Sequence, residues 1–216
     1  MKNLTHRHGY TIDQTILIVA IIAILITLII VTIGWQLINR SSGTKLGSQF
    51  RQVEDANGQF YSGQRMWPHQ AISSATGDNN MLALANALPS GVTWAASVST
   101  ADLRNLLPGF AVASSQVRHN YGTGGAIMQM PGTVANWGVS GSNQYMVIQF
   151  GNMPVNEAQE ADRAIDGVQN AASGRLVYQP TASSCLPATV GAAAPTPSAV
   201  GSSNVVNVCY AANTVQ

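Results

Sequence analysis

The stretch RHGYTIDQTILIVAIIAILITLIIVTIGWQLINR, residues 7–40, decides how the rest of the chain is read. From Thr15 to Trp35 it holds no charged side chain. Its core, ILIVAIIAILITLIIVTIGW, is 20 residues long, which as a helix covers about 30 Å, the thickness of a bilayer's hydrocarbon. It is apolar on every side, so it has no wet face, and in lipid a helix satisfies its own backbone. The stretch therefore predicts a membrane-spanning helix. Lys2 and Arg7 precede it, and Arg40, Lys45 and Arg51 follow it, so basic residues alone do not orient it. The short N-terminal tail and the large, weakly charged remainder favour an N-terminus inside and a body outside.

Two ordinary accounts fit this stretch incompletely. A cleaved secretory signal has an apolar core of about 7–15 residues followed by a small-residue cleavage site. This core is longer, and GWQLINR offers no such site. A plain signal anchor explains the apolar run. It does not explain Gly9, Tyr10 and the acidic Asp13 just before it.

Composition narrows the function. The chain has 216 residues, enough for one domain and an appendage. Charged residues are 9% of it, against about 25% in an ordinary soluble domain. The formal net charge is +1 with no basic cluster, which argues against nucleic acid as a partner, because that binding needs several clustered Lys or Arg. The neutral body, rich in Ala, Ser, Gly, Thr, Val and Asn, suits an extracellular bacterial protein. Cys185 and Cys209 could be unpaired core thiols. If the body is exported, an oxidising space would close them into a disulfide. That ring of 25 residues would contribute about 3.5 kcal/mol on the chain-entropy account.

The residues RHGYTIDQTILIVAI resemble the start of a type IV prepilin. The resemblance implies a leader of residues 1–9, cut by a prepilin peptidase between Gly9 and Tyr10, and N-methylation of Tyr10. Thr11 and Ile12 fit the residues that follow the cut in that family. It further implies an apolar helix that is held first by membrane lipid, then drawn by inner-membrane assembly machinery into a helical filament of identical and related subunits. Where the family carries Glu, this chain has Gln14, with Asp13 one place earlier. That Glu is thought to meet the free amine of a neighbouring subunit, and Gln14 cannot supply the charge. Asp13 could, although one residue on a helix is a rotation of about 100°. Alternatively the subunit does without the contact, as one at a filament tip would. Asp13 could also simply face the positive end of the helix dipole.

The body fits the same family loosely. Leu46, Phe50, Val53 and Phe60 mark an amphipathic continuation of the first helix, with Gly43 and Gly47 as places where it can bend. NNMLALANAL and STADLRNLLPGF predict short helices, the second capped by Ser99 or Thr100 and burying Leu103, Leu106 and Leu107. YMVIQF, residues 145–150, is the clearest strand. In GNMPVNEAQEADRAIDG, Asn152 caps a helix, Pro154 opens it and Gly167 stops it. Val155, Ala158, Ala161 and Ile165 form its inner face. GRLVYQP and NVVNVCYA read as further strands, and the Pro/Ala/Ser/Gly-rich run 186–203 as a loop. This order resembles the type IVb pilins, in which a cysteine loop near the C-terminus encloses the exposed face; Cys185 and Cys209 fit that role. The expected fold class is α+β: a long N-terminal helix, half membrane-spanning and half amphipathic, packed on an antiparallel sheet in the pilin manner. The expected divisions are residues 1–9, 10–40 and 41–216.

Nothing in the sequence points to catalysis, a cofactor or a metal. GTGG (122–125) lacks the full phosphate-loop pattern and reads as a turn. His6 and His8 fall in the leader. His69 and His119 stand alone, without ligands at metal spacing. Glu157, Glu160, Asp162 and Asp166 read as a solvated helix face beside Arg163, with Ca²⁺ the lesser alternative. Ser183 and Ser184 have no neighbouring base. Trp67, Trp94 and Trp137 read as packing residues, with glycan stacking the alternative. The expected function is a structural pilus subunit for adhesion or cell contact. The alternatives are a single-span envelope protein with a periplasmic binding domain and a minor or tip pseudopilin of a secretion system.

Overall fold

The computed structural model describes residues 12–122 and 124–215, leaving aside the side chains of residues 13, 31–43 and 213. By internal contacts the chain divides into two compact units, Met1–Arg40 and Ser41–Gln216. Helix α1 runs Ile12–Gln64. In the second unit its apolar residues recur every three or four positions, and Leu46, Phe50, Val53, Ala56 and Phe60 are all buried. The helix ends where Arg65 takes a positive φ of 57°.

The sheet is antiparallel, with strands β1 (Ala111–Ala113), β2 (Gln116–Arg118), β3 (Ala126–Thr133), β4 (Gln144–Pro154), β5 (Leu176–Pro180) and β6 (Val205–Val215) in the spatial order β1-β2-β3-β4-β6-β5. Alternation along β4 sorts the core into two layers. Met146, Ile148 and Phe150 join the larger cluster with Phe50, Val53, helix α2 (Gly77–Leu84) and helix α3 (Val155–Asp166). Val147 joins a smaller one with Trp137, Val177, Cys185, Cys209 and Ala211. Phe50 stands 4.5 Å from Phe150 and 5.2 Å from Tyr210, ring centre to ring centre.

A buried amide network crosses the larger layer. Asn57 Nδ2 donates to Gln129 Oε1 at 2.8 Å, and Gln129 Nε2 donates back to Asn57 Oδ1 at 3.1 Å and to Asn80 O at 3.2 Å. Buried amides are costly unless paired, so this network fixes where α1 and α2 sit on β3.

The expected fold class needs correction. Among the described residues, no helix is long and apolar enough to cross a membrane. From Lys45 onward α1 carries Arg51, Glu54 and Asp55. A helix divided into a membrane-spanning half and an amphipathic half is therefore not what the structure contains.

Two local expectations also change. Residues 99–110 form only a single 3-10 turn, Thr100–Asp102. Ser99 Oγ binds Asp102 Oδ2 at 2.6 Å, Asn105 Oδ1 accepts from Leu107 N–H, and Pro108 disfavours a helical residue before it. Leu107 is nevertheless buried. Asn152 does not cap α3. It has φ of 56° at a register shift in β4, and its N–H donates to Asn207 Oδ1. Gly167 does end α3, in the left-handed region, with its N–H on Arg163 O.

Candidate assembly surface and disulfide-bounded face

The first unit presents one chemical surface. Thirteen large apolar side chains between Ile12 and Ile30 are exposed, from Ile18 at 45% to Ile12 at 79%. Monomeric proteins seldom leave so continuous an apolar surface uncovered. The hydroxyl of Thr27 donates to Ala23 O one turn back at 2.8 Å, so this polar group needs no outside partner. Gly9 and Tyr10 lie outside the described residues, and so does the side chain of Asp13. Gln14 is exposed on the first turns of α1.

In the second unit Cys185 and Cys209 are joined by a disulfide, with their Cα atoms 6.2 Å apart. Both are fully buried. Gln149 Oε1 accepts from Ser184 Oγ at 2.9 Å and from Cys185 N–H at 3.1 Å, so the ring is anchored to β4. The enclosed loop then lies along β3. Thr133 N–H donates to Ala192 O, Ala194 N–H to Thr133 O and Gly191 N–H to Pro131 O. Trp137 Nε1 donates to Pro195 O at 3.0 Å. Gly132 permits this approach, because a Cβ there would overlap Ala192 O and Pro187. Exposed residues of the loop, including Val190 at 44%, face outward.

His119, the Gly-rich turn, Ser183 and the tryptophans have structural roles. His119 is buried and lies parallel to Phe150 at 5.5 Å. Its Nδ1 accepts from Tyr121 N–H, which leaves the proton on Nε2 to donate to Gly151 O at 2.6 Å. Burial lowers its pKa, which favours the neutral ring that these two bonds describe. Burial likewise lowers the pKa of half-buried His69. The Gly-rich stretch is a turn in which Gly122 and Gly124 take positive φ and Gly124 N–H donates to Tyr121 O. Ser183 N–H closes a turn onto Pro180 O. Trp67 and Trp137 are core residues, and Trp94 stacks on Phe60.

The acidic residues of α3 correct the expectation of a wholly solvated face. Asp162 is fully buried. Glu160 makes an ordinary surface pair with Arg163 at 3.2 Å. No group of three or more His, Cys, Asp or Glu among the described residues could hold a metal ion. Sequence reading also missed a cluster that joins α1 to the sheet. Tyr210 Oη donates to Glu54 Oε2 at 3.2 Å, and Arg175 pairs with Glu54 at 3.8 Å and lies 5.0 Å over the Tyr210 ring. Burial first, then the Glu54 charge, push the Tyr210 phenol up to about 12.

No protein family, curated protein or solved structure matches this chain.

Proposed function

We propose that this chain is a structural, non-catalytic subunit of a type IV pilus-like filament. It is processed after Gly9, methylated on Tyr10, and assembled by packing the apolar side chains of residues 12–30 against other copies. The observation that carries this reading is the continuous exposed apolar surface of that stretch. Burying such surface is worth about 25 cal/mol per Å², so copies packed side by side gain from covering it. The resemblance of residues 7–21 to a prepilin start supports the processing step. The disulfide supports an oxidising location, which an extracellular filament has. Residence at the inner membrane before assembly belongs to the same proposal and rests on the sequence of residues 15–35 alone. The cysteine-bounded loop, with its outward residues, is the surface offered to other cells or surfaces. Cleavage removes Lys2 and Arg7, leaving eight basic residues against nine acidic ones, a mature formal charge of −1.

Intact mass of protein extracted from cells tests the processing step. The expected product has lost residues 1–9 and gained one methyl group. A functional product of full-length mass overturns the proposal and leaves an unprocessed envelope protein.

A further inference from the structure

Strand β5 lies at one edge of the sheet, and an edge strand turns alternate N–H groups away from its partner. Two of those groups are occupied. Leu176 N–H donates to Asp166 Oδ2 at 2.9 Å, and Tyr178 N–H to Ala171 O at 3.0 Å. The segment 167–175, from α3 to β5, is therefore a strap along the edge. It is tied back to α3 at two points. Asp162 Oδ2 accepts from Asn170 N–H at 2.6 Å, and Asp166 Oδ1 accepts from Arg175 N–H at 3.1 Å. Asn170 also braces the strap from within, through Ser173 Oγ at 2.7 Å and Ala172 N–H at 3.1 Å.

Asp162 and Asp166 stand one turn apart on α3, so the two carboxyl side chains lie on the same face of the helix. Asp166 already accepts two backbone N–H groups, from Arg175 and from Leu176. Asp162 is fully buried, and its Oδ1 meets no N–H or O–H donor. A proton on that oxygen, donated to Asp166, satisfies the atom and leaves one negative charge on the pair instead of two.

We propose that Asp162 and Asp166 share one proton as a latch, and that its loss loosens the 167–175 strap and uncovers the outer edge of β5.

The neighbours leave the pair dominant. Tyr178 of β5 faces Asp162, and its phenol is shifted upward, by burial first. Besides β5, α3 packs on β4 and β6, whose titratable side chains are Tyr145 and Tyr210. Tyr210 is turned to Glu54, and Arg51 of α1 also acts on it. On α3 itself Arg163 is paired with Glu160 and Gln169, and Arg175 is bound to Ala211 O and Glu54. Burial is the main force that pushes Asp162 up to about 7; the Asn170 N–H opposes it and the Asp166 carboxyl adds to it. The strapped state therefore holds a proton that an opened, solvated Asp162 releases. The strap is tightest in acid, loosens as pH rises from about 4 to about 7, and changes little above that. This inference stands whether or not the chain builds a filament.

Amide hydrogen exchange on the full chain, corrected for intrinsic rates, tests it. Between about pH 5.5 and about pH 8, the Asn170, Leu176 and Tyr178 amides are expected to lose protection by on the order of tenfold, while central β4 and β6 amides such as Ile148 and Val208 hold theirs. In Asp162→Asn the amide imitates the protonated acid: Nδ2 donates to Asp166 and Oδ1 accepts from Asn170. Protection at the three amides is then expected to stay at its acid value across that range. Equal wild-type protection at both pH values, or an Asp162→Asn protein that keeps the pH response, overturns the latch.

Discussion

Helix α1 carries two apolar stretches that behave in opposite ways. Residues 46–60 place Leu46, Phe50, Val53, Ala56 and Phe60 on one stripe, and the chain's own body buries all of them. Residues 16–30 place Ile, Leu, Val or Ala at nearly every position, and the side chains on every face of the helix remain exposed. The first pattern is what one chain needs to fold on itself, since a stripe has one inner direction. The second has no inner direction and asks for cover all round. On the proposed reading one stretch sets folding stability and the other sets association, and substitutions separate them.

The sharpest contrast is Phe50→Ala against Ile22→Ala. Loss of the Phe50 ring from its contacts with Phe150 and Tyr210 is expected to cost the body about 4 kcal/mol in urea unfolding. Ile22→Ala is expected to leave that transition within about 0.5 kcal/mol while reducing assembly. Equal effects on unfolding would abolish the distinction. Next in size is the disulfide. Replacing Cys185 and Cys209 together by Ser is expected to lower stability by about 3 kcal/mol and to loosen the 187–195 segment from β3, read as faster amide exchange at Thr133 and Ala194. Asn57→Ala strands Gln129 Oε1 and leaves Nε2 only its bond to Asn80 O, and is expected to cost about 2 kcal/mol, read by thermal melting; Asn57 lies on α1 beside the stripe and tests whether position as well as apolar area is specified there. Arg163→Ala, which removes an exposed pair with Glu160 and an exposed bond to Gln169, is expected to change the same melt by less than about 0.5 kcal/mol.

How much of this could be read in advance depended on whether a signal was local. Strand β4 and helix α3 announced themselves, because YMVIQF is a continuous β-former run and Gly167 supplies the residue that a left-handed helix end demands. The buried stripe of α1 was legible from spacing alone. Residues 99–110 were not, because two short local bonds, Ser99 to Asp102 between side chains and Leu107 N–H to the Asn105 side chain, together with Pro108 outweighed a plausible leucine pattern. The site at Asp162 was hidden by its residue type. It falls four positions after Ala158 and three before Ile165, inside the inward arc, and periodicity could have placed it there; its acidic character pointed to solvent instead. The strap, the Glu54–Arg175–Tyr210 cluster and the seat of the cysteine loop on β3 join residues far apart in sequence, and pairings of that kind carry no local signal. The leader cut at Gly9 and Tyr10 lies outside the described residues, and so does the Asp13 side chain.

The central claim is that residues 12–30 are covered by other copies of this chain. A photo-crosslinking amino acid at Ile22 of the full-length protein, activated in intact cells, tests it most directly. The account predicts adducts of twice the subunit mass, with the crosslinked peptide falling within residues 12–30 of a second copy. Adducts only to lipid or to unrelated proteins, with none between copies, would contradict it.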